Sequence, residues 1–135
     1  MSVEVTGRYT GNLKMELIHG PSGATIHSAA PKDNNGDGSS FSPTDLVATA
    51  LGSCMCTIIA MVAERDGIDC SQLRFRAEKH MSASPRRIGS IPVHITLPPG
   101  LTPEQRGKLE RAAATCPVHH SLHPDIQIDI TFSEA

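Results

Sequence analysis

Tryptophan is absent from this chain of 135 residues, and the only aromatic residues are three Phe and one Tyr. Aliphatic and small side chains must therefore fill its core. Basic residues number 12 against 14 acidic ones, for a net charge of −2. This balance lacks the basic footprint of a nucleic-acid-binding protein. The first ten residues, MSVEVTGRYT, contain no apolar run of a secretory signal, so we expect a cytoplasmic protein.

The four cysteines form no C-x-x-C pair; they are Cys54, Cys56, Cys70 and Cys116. Cytoplasmic cysteines are kept reduced, and they are more often catalytic or metal-binding than structural. We therefore expect reduced cysteines with a catalytic or metal-binding role rather than disulfide cross-links.

The longest apolar stretch runs from Ser42 to Arg65 and predicts a central helix. Ser42 suits the N-cap, Pro43 the first helical position, and Asp45 the position three residues after the cap. Apolar residues surround most of the helix, which indicates burial. Polar residues interrupt the run, and no basic flank or aromatic belt is present, so we expect no membrane association. A single small domain has too little chain to cover this helix, which predicts a homodimer.

The remaining chain predicts an α+β fold in one domain, residues 1–135, with the order β-β-β-α-β-β-α-β and antiparallel sheets around the buried central helix. Period-two alternation and turn residues define the strands. The strands are expected at 2–9, 14–19, 24–29, 73–79, 91–97 and 125–132, and the second helix at 103–115.

The positions of the cysteines distinguish their roles. Cys54 and Cys56 project about 200° apart on a helix, so both cannot point into one site. One is expected to pack as a small hydrophobe. Cys116 precedes Pro117 and is placed to cap a further helical turn at 118–122, a position that lowers a thiol pKa. His119 and His120 follow, so a zinc site of Cys54, Cys116, His119 and His120 is an alternative.

Two segments carry a family resemblance. Residues 42–54 read SPTDLVATALGSC, and Cys116-Pro117-Val118 follows a second amphipathic helix and precedes a final strand. This arrangement resembles the OsmC/Ohr family (osmotically inducible protein C and organic hydroperoxide resistance proteins). The resemblance implies an intertwined homodimer with a thiol peroxidase site at the subunit interface. It implies that Cys54 attacks an organic hydroperoxide and that Cys116 resolves the product as a disulfide. An external dithiol would then reduce this disulfide, without a cofactor.

The sequence departs from the family around the activating cation. Apolar surroundings should raise the pKa of Cys54, which therefore needs a nearby positive charge. The family uses an arginine held by a glutamate of a Pro-Glu motif, but Thr44 stands at that glutamate's position, with Asp45 next to it. Arg8 is the candidate cation and Lys14 a weaker alternative, Asp45 is the candidate support, and His119 is a support for Cys116. The missing glutamate favours an alternative function, a non-catalytic domain that binds an apolar small molecule at the dimer interface.

Overall fold

The computed structural model describes residues 1–135, which form two compact units, residues 1–46 and residues 47–135. Each unit is described by itself below. That the whole chain acts as one domain stays a prediction.

The N-terminal unit is built on a three-stranded antiparallel sheet in chain order, β1 (Val5–Gly11), β2 (Lys14–His19) and β3 (Thr25–Ala29). All three predicted strands are present, and β2 has the predicted bounds. Asn12 and Leu13, both with positive φ, form the tight turn between β1 and β2. This turn sets a register in which Arg8 lies opposite Glu16. A 3-10 turn, Lys32–Asn34, lies between β3 and the central helix.

The central helix α1 (Pro43–Arg65) begins and ends where the sequence signals predicted. Ser42 Oγ accepts a hydrogen bond from the Asp45 N–H at 3.1 Å, and the Ser42 N–H donates to Asp45 Oδ2 at 2.9 Å. These reciprocal bonds satisfy two backbone donors that a helix start would otherwise leave free.

The C-terminal unit contains two further sheets. In the larger sheet, β7 (Val93–Leu97) lies between β4 (Arg74–Ala77) and β8 (Ile130–Glu134). The smaller sheet pairs β5 (His80–Ser82) with β6 (Arg87–Ser90). The α+β fold with antiparallel sheets is confirmed, with two differences from the predicted order. The 73–97 region forms four short strands instead of two, and β7 pairs with β8 in parallel.

The parallel pair is possible because a helical connection returns the chain to the same end of the sheet. This connection contains α2 (Pro103–Ala113) and the short helix α3 (Pro117–Ser121). Thr102 and Gln105 cap α2 reciprocally, and Cys116 is the N-cap of α3, as the sequence predicted. Strand β8 begins five residues later than predicted, since Gln127 makes only an isolated bridge to Ser90.

One face of α1 packs against the larger sheet, and the two elements share the core of the C-terminal unit. The fully buried side chains of this core are aliphatic or small, as the shortage of aromatic residues requires; they include Leu51, Met55, Ile59, Ile91, Val93, Ile95, Leu97 and Leu109. Gly52 allows close approach, because a Cβ at this position would overlap the Phe75 ring.

The opposite face of α1 is exposed in the single chain. Met61, for example, is 51% exposed. The helix is long and apolar enough to cross a membrane by length and composition, and 33% of its most apolar window is buried. The core helix of a soluble protein can have the same length and composition. In the single chain, α1 therefore has an apolar face that is left to be covered.

Candidate active site: a pair of thiols in contact

Two of the predicted site residues meet in the C-terminal unit. Cys54 on α1 is half-buried, Cys116 at the start of α3 is fully buried, and both are free thiols. Their side chains pack in the same core cluster, and the neighbouring Cys54 thiol raises the pKa of Cys116. Neighbouring thiols can join in a disulfide. Cys54 and Cys116 are 62 residues apart in the chain. Helix α1 and the start of α3 therefore bring together one dithiol site.

Cys116 does not have the electrostatics that its position predicted. Its Sγ accepts the His119 backbone N–H at 3.4 Å, and this bond and one from Val118 lower the pKa of the thiol. Burial raises the pKa of Cys116 more strongly, and the contact with Cys54 raises it further. The net shift is upward, so the expectation of a lowered pKa was wrong. Cys116 therefore keeps its proton at neutral pH.

Cys56 lies on another side of α1, as the angular separation of the two cysteines predicted. It lines an open groove of about 500 Å³ together with Cys70, Leu73 and Phe75. Burial raises the pKa of Cys56 to about 11. Burial also raises the pKa of Cys70, with smaller contributions from Glu64 and Asp69. Both thiols are protonated near neutral pH, which makes them poor nucleophiles.

Asp45 supports the start of α1. Its carboxylate binds the Ser42 backbone N–H, while the Ser42 hydroxyl lies 3.2 Å from that of Thr44. The sequence placed Asp45 three residues after the Ser42 cap as a helix-start residue, and the structure shows that contact. The structure thus gives Asp45 a defined structural contact.

Arg8 lies on β1 in the N-terminal unit, and its side chain is 65% exposed. Its Nε donates to Glu16 Oε1 at 2.9 Å, and the other Glu16 oxygen is 3.7 Å from His27 Nε2. Sequence reasoning missed Glu16 as the partner of Arg8. The signal was present, because a tight turn at 12–13 places the two residues opposite each other on neighbouring strands.

His119 and His120 lie side by side on α3, with ring centroids 6.0 Å apart. The Nδ1 atom of His119 is buried and has no hydrogen-bond partner. No group of three or more His, Cys, Asp or Glu side chains in the chain is arranged to hold a metal ion. The zinc alternative from Cys54, Cys116 and these histidines therefore lacks a ligand set in the single chain.

The pattern that defines the OsmC-like protein family matches residues 36–131, a span that includes both thiols of the pair. A protein from Psychrobacter arcticus 273-4, provisionally named an osmotic stress induced and detoxification response protein, is 39% identical to this chain. Its structure superposes with a TM-score of 0.89, and the match covers 98% of this chain and 96% of that one. The chain belongs to the OsmC-like family.

More distant structures share the fold. An organic hydroperoxide resistance protein OsmC from Legionella pneumophila superposes with a TM-score of 0.77 at 18% identity, covering 98% of this chain and 97% of that one. An organic hydroperoxide resistance protein from Elizabethkingia anophelis has a TM-score of 0.70 at 17% identity, with 100% and 97% covered. No curated protein matches the chain.

Proposed function

We propose that the protein is a thiol-dependent peroxidase that reduces organic hydroperoxides as part of an oxidative-stress response. The contact between Cys54 and Cys116 is the observation that carries this proposal. Family membership supports it, because distant relatives with the same fold are named organic hydroperoxide resistance proteins. The apolar surroundings of α1 favour an organic peroxide over hydrogen peroxide.

The reaction has three steps. The Cys54 thiolate attacks the distal oxygen of the hydroperoxide, the O–O bond breaks, and the alcohol leaves after taking up a proton, while Cys54 becomes a sulfenic acid. Cys116 then attacks the Cys54 sulfur, forming a disulfide and releasing water. An external dithiol reduces this disulfide by thiol exchange and is itself oxidised. The cytoplasm, where such reductants are maintained, is the proposed location.

Arg8 is the proposed cation that stabilises the Cys54 thiolate. Its bond to Glu16 supports this role, since Glu16 can hold the guanidinium as the family's glutamate does where this chain has Thr44. Arg8→Ala should slow the peroxide step by roughly 10-fold or more, and Arg8→Lys should retain part of the rate. Lys14→Ala removes the weaker candidate cation, a residue of the same sheet that pairs with Asp37, and should leave the rate near that of wild type. Equal rates for Arg8→Ala and wild type would exclude Arg8.

The protein is proposed to act as a homodimer. Exposed apolar side chains cover one face of the β1–β3 sheet; Val5 is 68% exposed and Ile26 is 54% exposed. The uncovered face of α1 is a second such surface in the C-terminal unit. A partner subunit would remove both from water. Light scattering across a dilution series tests this, and a stable monomer would contradict it.

The alternative function, non-catalytic binding of an apolar molecule, has one structural feature in its favour. The sheet of the N-terminal unit carries a groove of about 450 Å³ with largely apolar walls, including Val5, Leu17 and Ile26. A groove of this size suits a small apolar ligand. This function predicts ligand binding without any consumption of peroxide.

One experiment separates the two functions. The reduced protein is mixed with one equivalent of cumene hydroperoxide, quenched with an alkylating reagent and analysed by mass spectrometry. The peroxidase predicts a rapid Cys54–Cys116 disulfide that is blocked by Cys54→Ser. If all four thiols stay reduced, or oxidise only as fast as a small-molecule thiol, the peroxidase proposal fails.

A further inference from the structure

Three helices of the chain begin with the same local arrangement. In each, the N-cap side chain is followed by Pro, one further residue, and a residue whose backbone N–H donates back to the N-cap side chain. The donor–acceptor distances are 3.1 Å in α1, 3.1 Å in α2 and 3.4 Å in α3. The three segments are SPTD at 42–45, TPEQ at 102–105 and CPVH at 116–119.

The start of α3 lacks the second bond of a capping box, in which the side chain three residues after the N-cap accepts the N-cap backbone N–H. In α1 the Asp45 carboxylate accepts the N-cap N–H, and in α2 Gln105 Oε1 does the same at 2.9 Å. In α3 the Cys116 N–H instead donates to the Ala113 carbonyl oxygen at 3.4 Å. The side chain of His119 occupies the position that closes the box in the other two helices, yet its Nδ1 is buried without a partner.

A buried polar atom without a partner lowers the stability of a folded protein, so its presence calls for an explanation. The unpartnered atom belongs to a residue that already binds Cys116 through its backbone. Histidine is also the side chain whose protonation changes most readily near neutral pH. The resolving step requires such a group, because a thiol must lose its proton to become a nucleophile, and the Cys116 thiol is fully buried.

We propose that His119 Nδ1 accepts the thiol proton of Cys116 as Cys116 attacks the sulfenic acid of Cys54. This inference rests on the proposed peroxidase function and concerns only its second step. The Cys116 sulfur forms the S–S bond, and the S–OH bond of Cys54 breaks. The proton held by His119 passes to the departing hydroxide, which leaves as water. Cys116 is oxidised, the sulfenic sulfur is reduced, and His119 returns to its neutral form.

The test separates the two chemical steps in a single turnover with cumene hydroperoxide. Quenched samples are analysed for sulfenic acid, trapped with a dimedone reagent, and for disulfide. His119→Leu should form the sulfenic acid at the wild-type rate and condense it roughly 10²-fold more slowly, the usual loss for a missing general base. Equal condensation rates in His119→Leu and wild type would overturn the proposal.

Two further variants exclude a purely structural role. His119→Asn retains a hydrogen-bonding side chain that takes up no proton, so it should resolve as slowly as His119→Leu while its thermal unfolding matches wild type. His120→Leu removes the adjacent, exposed ring that stacks on His119 and should condense at the wild-type rate. Full activity in His119→Asn, or equal slowing by His120→Leu, would contradict proton acceptance.

A second measurement tests His119 without any peroxide. In a Cys56→Ser/Cys70→Ser background, an aromatic disulfide reagent forms a mixed disulfide at Cys54, and Cys116 then displaces the second aromatic thiolate. His119→Leu should slow this displacement by a similar factor. Slow displacement in a protein that consumes no peroxide would reject the proposed function and retain the role of His119. If His119→Leu turns over peroxide with wild-type rates of displacement and condensation, the role of His119 is rejected and the proposed function is retained.

Discussion

Two pairs of cysteines lie in the C-terminal unit, and α1 contributes one member to each. Cys54 is in contact with Cys116, whereas Cys56, only two positions further along the helix, lines an open groove with Cys70. The members of the first pair also differ from each other, since Cys116 is held by two backbone N–H groups. The comparison shows that a helix can carry two cysteines almost adjacent in sequence and give them unrelated surroundings.

The largest expected effect contrasts Cys54→Ser with Cys56→Ser. Replacement of Cys54 removes the nucleophile, so peroxide turnover should fall to the background rate of the solution. Replacement of Cys56 exchanges one small side chain at the groove and should leave turnover within about 2-fold of wild type. Steady-state consumption of cumene hydroperoxide with a dithiol reductant measures both. A Cys56→Ser variant as inactive as Cys54→Ser would mean that the pairs have been assigned the wrong way round.

The second contrast concerns the partners, Cys116 and Cys70. In Cys116→Ser the sulfenic acid of Cys54 has no thiol to condense with, so excess peroxide should oxidise it further to sulfinic acid. Turnover should stop after few cycles. Cys70→Ser should show neither effect. Mass analysis of the Cys54 peptide provides the measurement, and a Cys116→Ser variant that turns over without loss would show that Cys116 is not the resolving thiol.

How far the sequence predicts this site depends on the range of the interactions involved. The bounds of α1, the cap formed by Asp45 and the N-cap position of Cys116 follow from residues within four positions of one another. Such local signals need no knowledge of the remaining fold. The same holds for β2, whose ends are set by turn residues.

Properties that depend on distant residues were not predicted. The pKa of Cys116 is raised because the core buries it and because Cys54 contacts it, and neither cause is visible in the residues around Cys116. The parallel pairing of β7 and β8 depends on the path of the connection through α2 and α3. The groove shared by Cys56 and Cys70 depends on how the connection after α1 returns toward the helix.

A third contrast uses the pH dependence of alkylation. The pKa of Cys56 is raised to about 11, so below that value its reactive thiolate fraction should increase about tenfold with each pH unit. At pH 7 that fraction is about 10⁻⁴, and Cys56 should react at least about tenfold more slowly than a small-molecule thiol. Rates for the Cys56 peptide with iodoacetamide between about pH 7 and pH 9.5 provide the check. A plateau within this range would show that burial does not control the thiol.

The smallest expected effect concerns Gly52, which sets the spacing between α1 and β4, the elements that flank the Cys56 groove. A methyl group at Gly52 would overlap the Phe75 ring, so Gly52→Ala should lower the free energy of unfolding by about 1–3 kcal/mol despite the better helix propensity of Ala. Gly107 in α2 is the matched control, because the nearest atom to an added methyl there is the flexible end of Arg111. Gly107→Ala should be neutral or stabilise by up to about 1 kcal/mol. Urea unfolding of both variants measures the difference. Equal stabilities would mean that Phe75 moves aside easily, and the spacing of α1 would then not depend on Gly52.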